Sequence, residues 1–476
     1  MKLPFLVNKK TWTAMSPKLL PFADVVTEDL PLSRLLRLSL FQVTVGMAAT
    51  LLIGTLNRVL ILEMGVSAWL VALMVALPLV FAPFRALVGF KSDQHRSVLG
   101  WRRVPYIWIG TLMQFGGLSI MPFALILLSG DTHWPIWFSH IASALAFLLV
   151  GAGMQTTQTA GLALATDIAA EQSRPRVVAL MYVMLLVGMV ISGIVFSFFL
   201  SPFSLFQLIQ VVQGAATVTI VLNIVALWKQ EARQPHQTNP AIKTPDFKES
   251  WEKFSGQGKI KRFLIMLGLG TAAFSMQDII LEPYGGEILH LSVSQTSLLT
   301  ALISGGALLA FALAARWLSR GMDPHRIAAL ALLIGLLAFS AIIFAQPLAS
   351  TILFRVGATL IGFGAGLFSI STLIIAMQIE NNGMTGLAIG AWGAVNTTAS
   401  GVAISVGGLL RDVISDLAQR GYLGDALVNP ATGYQFVYHI EIYLMFATLV
   451  SLGPLVVYRS QQRILNKKFG LAELPG

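Results

Sequence analysis

Long, almost unbroken apolar runs alternate with short polar, mostly basic connections along the whole of this 476-residue chain. The runs cover 35–62, 69–90, 104–129, 138–166, 177–200, 206–228, 263–281, 297–318, 327–345, 350–377, 386–410 and 436–457. A bilayer core about 30 Å thick is crossed by ~20 apolar residues of helix, so each run predicts one membrane-spanning α-helix. A soluble protein does not carry this many runs of that length. The expected fold class is an all-α membrane protein with 12 transmembrane helices.

Composition agrees: 55% of residues are hydrophobic and 11% charged, which leaves little chain for a soluble domain. No cleavable signal peptide is expected, because the first run starts near Leu35, is too long for an h-region and lacks a small-residue cleavage site. Cysteine is absent, which excludes disulfides, thiolate catalysis and Cys-ligated metal.

Charge sets an expected orientation. With the N-terminus in the cytoplasm, every Lys and Arg except Arg58, Arg355, Arg411 and Arg420 falls on the cytoplasmic side. That asymmetry fits the positive-inside rule and puts both termini in the cytoplasm. The net charge of +10 is then mostly topology, with attraction to anionic lipid as a by-product. Its dispersal over separate loops speaks against nucleic-acid binding.

The chain divides into two matching halves. The expected units are a cytoplasmic N-terminal segment (1–34), a first six-helix half (35–228), a basic linker (229–262), a second six-helix half (263–458) and a cytoplasmic tail (459–476). Gly89, Lys91, Asp93, Arg96 and Gly100 after the second run have counterparts in Arg316, Arg320, Gly321, Asp323 and Arg326 after the eighth. The turn at 167–171, which opens with Asp167, is echoed more loosely at 378–382. Repeated six-helix halves are the signature of the major facilitator architecture. The loop at 89–96 also looks like that superfamily's signature G-x-x-x-D-(R/K)-x-G-R-(R/K), although the second Gly and the basic pair come later, at Gly100, Arg102 and Arg103. Arg85, Asp93, Arg96, Arg102, Arg103, Asp167 and Asp323 are therefore candidate parts of a cytoplasmic gate that locks one conformation. The alternative is a basic loop that only obeys topology.

Ionisable groups at membrane depth are functional candidates. Asp278 and Glu282 are expected on one face of the seventh helix, with Glu287 nearer the surface. Asn57, Arg58 and Glu63 sit at a similar level of the first helix, so Arg58 is expected to pair with Glu282 or Asp278 across the outer mouth. Against this, all could be interfacial residues that snorkel to water. No charge lies at the middle of the first, fourth, tenth or eleventh runs. The fourth carries Gln155 and Gln158 with Thr156, Thr157 and Thr159, either as glue between helices or as partners for a carbonyl-bearing ligand. His140 and His439, just inside outer helix ends, are either structural or able to ligate a chlorin magnesium. No metal-ligand spacing and no Walker, nucleophile-elbow or HExxH motif is present, so no catalysis and no metal site are expected. Gly362/Gly366 and Gly386/Gly390 are GxxxG pairs for close helix packing. Trp69, Trp101, Trp108, Trp134 and Trp137 lie near run ends, as aromatic belts do. The segment 11–32 mixes Trp12 and Phe22 with charges, as expected of an interfacial or partner-docking stretch.

Several blocks resemble the PucC/LhaA family. They are LLRLSLFQV at 35–43, GTLNRV at 54–59, APFRA at 82–86, KSDQHRS at 91–97, GWRRVPY at 100–106, QTAGLALATD at 158–167, LEPYG at 281–285 and GAWG at 390–393. The stretches PATGY at 430–434 and YHIE at 438–441 look more like PucC than LhaA. This family is the (bacterio)chlorophyll-delivery branch of the major facilitator superfamily. The resemblance implies an assembly factor for purple-bacterial light-harvesting antennae, with bacteriochlorophyll as cargo and carotenoid as a further pigment. It implies antenna α/β polypeptides or the reaction centre–antenna assembly as partners, bacteriochlorophyll synthase as another, and the intracytoplasmic photosynthetic membrane as the location. The candidate pigment contacts are Asn57, Arg58, Gln155, Gln158, Asp278, Glu282, His140, His439 and Trp392. Relatives often carry His where Gln155 stands, which leaves Gln155 a hydrogen bond to a pigment carbonyl or weak magnesium binding. The alternative function is an alternating-access transporter or flippase of a tetrapyrrole or other small solute. Gate motifs in both halves favour rocking motion, whereas a charge-poor cavity favours binding.

Overall fold

A computed structural model describes residues 32–80, 101, 103–128, 135–169, 174–231, 258–378 and 385–455. Among them the chain is helical with short connections. The helices are α1 (Ser33–Glu63), α2 (Ala68–Val80), α3 (Val104–Leu128), α4 (Ile136–Ile168), α5 (Arg174–Phe199) and α6 (Leu205–Leu227), followed by α7a (Gly258–Ser275) and α7b (Leu281–Glu287). Then come α8 (Val293–Ser319), α9 (Pro324–Ala345), α10 (Thr351–Gln378), α11 (Thr385–Gln419) and α12 (Thr432–Leu452). With α7a and α7b taken as one interrupted helix, each predicted run has its helix, and ten of the helices are long and apolar enough to cross a membrane. α2 is described only to Val80.

Local chemistry starts and stops these helices. Ser292 and Gln295 form a reciprocal capping box at α8. Asp323 caps α9, accepting from the His325 N–H at 3.0 Å, with Pro324 at the first helical position, where its missing N–H costs nothing. α11 outruns its apolar stretch and reaches Gln419, supported by the Arg420–Asp416 pair, four residues apart and 2.9 Å long.

Two helices depart from regular α geometry. α1 widens into π turns at Thr50–Thr55 and Val59–Glu63. Between α7a and α7b the chain tightens into a 3₁₀ turn at Met276–Ile279. The run 263–281, expected as one straight helix, is thus a broken helix that continues to Glu287.

The packing repeats between halves. α3 lies on α4 and α6, as α9 lies on α10 and α12; α1 lies on α5 and α6, as α7a lies on α11 and α12. The halves meet where α2 packs on α11, α5 on α8 and α1 on α7b. Large apolar side chains such as Phe123, Phe198, Leu309, Leu337 and Ile352 point outward, as a lipid-facing surface requires. In lipid, apolar burial does not drive helices together, so close backbone approach by small residues does. A Cβ at Gly193 of α5 would lie 2.9 Å from Ala301 Cβ of α8, and one at Gly408 of α11 would lie 2.8 Å from the Ala68 carbonyl of α2.

Gly362 of α10 faces α8, where an added Cβ would collide with the Ile303 backbone carbonyl, and Gly366 lies 3.0 Å by the same measure from Ala307 Cα. The Gly362/Gly366 pair therefore packs within the second half; the side chains around Gly386 and Gly390 lie outside the described residues. Gly362→Val is expected to cost about 3 kcal/mol through overpacking against backbone. Gly116→Ala, in open space, is expected to be neutral or stabilising by up to ~1 kcal/mol. Unfolding in detergent checks both, and equal effects at the two positions would refute the close α8–α10 contact.

Candidate functional site

The candidate residues of the first and seventh helices converge at the end of the bundle away from the start of α1, here the far end. Arg58 is buried in α1, yet its ion pair is not with Glu282 or Asp278. Its Nη1 lies 2.7 Å from Glu63 Oε1, and its Nη2 donates to the Leu291 carbonyl at 3.1 Å. The expected cross-helix pair is replaced because α1 is a π-helix here, and the π pitch stacks residues five apart. Gly286 leaves the facing side of α7b bare, since a Cβ there would sit 2.9 Å from Arg58 Nε.

Asp278 and Glu282 do not work as one face either. Asp278 lies within the 3₁₀ turn and Glu282 in α7b beyond it, so the four-residue stacking expected of a continuous helix is broken. Glu282, buried, accepts from Thr300 Oγ1 of α8 at 2.7 Å, and its second oxygen has no partner. Gly54 of α1 makes room, because a Cβ there would lie 2.6 Å from Glu282 Oε1. At Asp278, the Gln277 amide donates to the carboxylate and Asn57 Nδ2 donates to the backbone carbonyl at 3.2 Å. Asn57 also bonds the Ile53 carbonyl. Thr55 and Ser297 hydroxyls meet at 3.1 Å and carry the α1–α8 contact onward.

Two groups at this end were not singled out from the sequence. Glu441 lies at the middle of α12, fully buried, and its Oε1 accepts the Gln277 backbone N–H at the α7 break, at 2.7 Å. A lone carboxylate inside the run 436–457 was the available signal. Arg411 of α11 lies 2.7 Å from Glu287 Oε2 and 2.7 Å from the Tyr434 hydroxyl, which itself donates to Glu287 at 2.6 Å. The guanidinium stacks over the Tyr434 ring, 4.5 Å from its centroid. Asp412 takes Arg411 Nη1 at 2.8 Å and the Trp69 backbone N–H at 2.8 Å, so α11 caps α2. These bonds line a cavity of about 620 Å³ bounded by Trp69, Glu287, Arg411, Asp412 and Asp416.

The gate candidates are only partly brought together. Arg103 Nε pairs with Asp167 Oδ2 at 3.0 Å, joining the start of α3 to the end of α4 within the first half. Glu231 accepts the backbone N–H groups of Arg103 and Val104 at 3.1 and 2.9 Å. Asp323 caps α9 and lies 2.9 Å from His325 Nδ1. Arg85, Asp93, Arg96, Arg102, Trp134, the segment 11–31, the greater part of the linker and the tail lie outside the described residues.

Among the pigment candidates, Thr157 is glue, taking Gln114 Nε2 at 2.9 Å between α3 and α4. Gln155 keeps a buried Oε1 without a partner, and Gln158 and His140 are half-buried on the same helix. Trp392 is buried, and its indole N–H is taken by Thr372 Oγ1 at 3.1 Å, a bond between α11 and α10 that leaves it no donor for a ligand. His439 differs from all of these. It is exposed on the outer face of α12, and its Nδ1 lies 2.7 Å from the Gln435 carbonyl. A carbonyl only accepts, so Nδ1 donates to it and Nε2 is the ring nitrogen left to face outward. Phe436, Tyr443 and Phe446, 42%, 67% and 53% exposed, continue the same face of the helix.

A family model described as PUCC protein matches residues 55–460. The chain is 52% identical over 406 residues to Protein PucC of Rhodovulum sulfidophilum, covering 84% of this chain and 89% of that one. It is 49% identical over 477 residues to an uncharacterized protein in the puhA-bchM intergenic region of Rhodobacter capsulatus, covering 99% of this chain and 100% of that one. Among solved structures, the nucleoside transporter NupG superposes with a TM-score of 0.64 at 14% identity, over 89% of this chain and 100% of that one. That likeness carries the fold alone, the twelve-helix major facilitator fold.

Proposed function

The chain belongs to the PUCC family, and from that premise we propose that it binds bacteriochlorophyll and delivers it to antenna polypeptides within the membrane. On this reading it assembles a purple-bacterial light-harvesting complex and catalyses no reaction. The single observation that carries the reading is His439. Its Nδ1 is held by a backbone carbonyl, its Nε2 has no partner among the described residues, and it faces lipid between aromatic side chains. A neutral imidazole nitrogen is a good axial ligand for a tetrapyrrole magnesium, and the hydrogen bond at the other nitrogen orients the ring and raises its basicity. Phe436 and Tyr443 offer apolar faces to a flat macrocycle. A site on the outer face of α12 allows transfer to a neighbouring single-span helix without passage through water. The basic residues of the connections orient the chain with both termini in the cytoplasm of the photosynthetic inner membrane.

A second reading, alternating-access transport of a tetrapyrrole or other small solute, is favoured by how the far end is closed. The halves are joined there by hydrogen bonds: Asp412 with Trp69, Ser294 with Ser197 at 2.6 Å, Asn57 with Asp278, Thr55 with Ser297 and Arg58 with the Leu291 carbonyl. Discrete polar contacts of this kind can be exchanged for water as the halves rock apart.

The test is near-infrared absorption of the tagged protein gently purified from native membranes, with its companions identified by mass spectrometry. Bacteriochlorophyll together with antenna polypeptides is expected. A colourless protein without antenna companions would overturn the delivery reading.

A further inference from the structure

The break between α7a and α7b is surrounded by more hydrogen-bond acceptors than donors. Glu441 uses Oε1 for the Gln277 N–H and leaves Oε2 with no partner, although it is fully buried. Asn57 Oδ1 and Gln277 Oε1 are also buried and unpartnered, and both side chains touch Asp278 through their amide nitrogens. Glu282, four residues on, has the same deficit at Oε2. The Tyr438 hydroxyl, one turn before Glu441 on α12, is buried without a partner and is the one unengaged donor of α12 at this level.

Among the described residues no ion pair reaches Asp278 or Glu441; Arg355 of α10, which also packs on α7a, has a buried Nε without a partner and makes no ion pair with either. Arg58 on α1 is engaged by Glu63 and the Leu291 carbonyl. Arg411 on α11 is engaged by Glu287, Asp412 and Tyr434. α7b adds Glu282 and Tyr284, and α12 adds Tyr434 beside Tyr438. α9 and α7a carry charged or titratable groups only at the opposite end: His325 and Arg326, and Lys259, Lys261 and Arg262. Asp278 directly follows Gln277, whose backbone N–H Glu441 accepts at 2.7 Å. A buried acceptor without a donor costs about 1–3 kcal/mol, and neighbouring carboxylates without a countercharge cost more. One proton on this pair supplies the missing donor and removes one negative charge.

We propose that Asp278 and Glu441 form a proton-binding site at the α7 break, with Asp278, only half-buried, as its access. The step moves a proton alone: an O–H bond forms at a carboxylate oxygen as one breaks on water. Glu441 ties α12 to the break, and Asn57 ties α1 to it. Loading and release of the proton change the charge at the break, beside the Asn57 bond to the Asp278 backbone carbonyl that joins the halves. This does not rest on pigment ligation at His439, because neither that residue nor the outer face of α12 enters it.

The test uses the full-length purified protein in lipid nanodiscs without added pigment. Infrared difference spectra between acidic and alkaline buffer report the C=O stretch of a protonated carboxylic acid, marked by its shift in D₂O. The wild type is expected to show this band. Glu441→Gln, whose amide oxygen still accepts the Gln277 N–H, is expected to lose it. Asp278→Asn, which keeps the backbone bond to Asn57, is expected to move its midpoint by about one pH unit or more, as coupled groups do. An unchanged band in both variants, no band in the wild type, or a signal that follows sodium at constant pH would each overturn the proposal. If Glu441→Gln does not fold, Asp278→Asn decides alone.

Discussion

Replacing His439 by Phe is expected to lower the bacteriochlorophyll carried by the purified protein by about tenfold or more. Substitutions of groups that only orient a metal ligand cost about 10–100-fold in affinity, and here the ligand itself is removed. The substitution isolates ligation from folding. His439 is exposed on α12, and the one hydrogen bond its side chain makes is to the Gln435 carbonyl one turn back. Phe preserves bulk, aromaticity and helix geometry, so α12 should stay packed against α7a, α9 and α11. His439→Gln is expected to retain an intermediate amount, because an amide oxygen is a weak magnesium ligand. Gln155→Leu should leave pigment content unchanged, since it lies on α4, in the other half of the bundle. The measurement is the ratio of near-infrared to ultraviolet absorbance after identical purification. Full pigment in His439→Phe would move the site elsewhere; loss in Gln155→Leu alone would move it to α4.

Arg58→Met is expected to destabilise the protein by about 3 kcal/mol, the low end of what breaking a buried ion pair costs. The Arg58 side chain is 6% exposed, while Glu63 is 37% exposed and recovers water when its partner is lost. The larger part of the cost falls on the Leu291 carbonyl, which loses its donor at the α7b–α8 connection. Arg58→Lys should rescue poorly, because a single ammonium cannot span both acceptors as the guanidinium fork does. Exchanging charges between Arg58 and Glu282 should give no rescue, since Glu282 bonds Thr300 through one oxygen and makes no direct pair with Arg58. Chemical unfolding in detergent measures each difference. A loss below ~1 kcal/mol would mean that Arg58 behaves as a surface group.

How much of this was legible in the sequence differs by level. Each apolar run has its helix, although α11 runs on to Gln419, α7 is broken and α2 is described only to Val80, because in lipid every backbone group must be satisfied inside its own segment. Asp323, expected as a gate residue, caps α9 by local chemistry of the same kind, while the matching loop at 89–100 lies outside the described residues. The Arg58 partner could not be read from local chemistry. Level along the helices points to Glu282 or Asp278, but a π turn selects Glu63, and π turns have no clear residue signature. The GxxxG pair at Gly362 announced a close contact without saying that α8 was the neighbour. Trp392 belonged to a recognisable block, yet only packing showed its N–H to be taken by Thr372. Glu441 was visible as a lone charge in an apolar run and was passed over because nothing local says what it touches.

The sequence by itself determined the span number, the lipid-facing chemistry, the charge asymmetry and the family, since each is written in residue type and spacing along one dimension. The tertiary structure decided which buried polar groups share a partner. It broke α7 at Met276–Ile279, brought Glu441 from α12 to that break, left Asp278 and Glu282 to different neighbours, and turned His439 outward with one nitrogen fixed. The physical reason is that helix formation in lipid is settled by each segment alone. Pairing of the few polar side chains depends on helix phase and tilt, which small local changes of pitch reset.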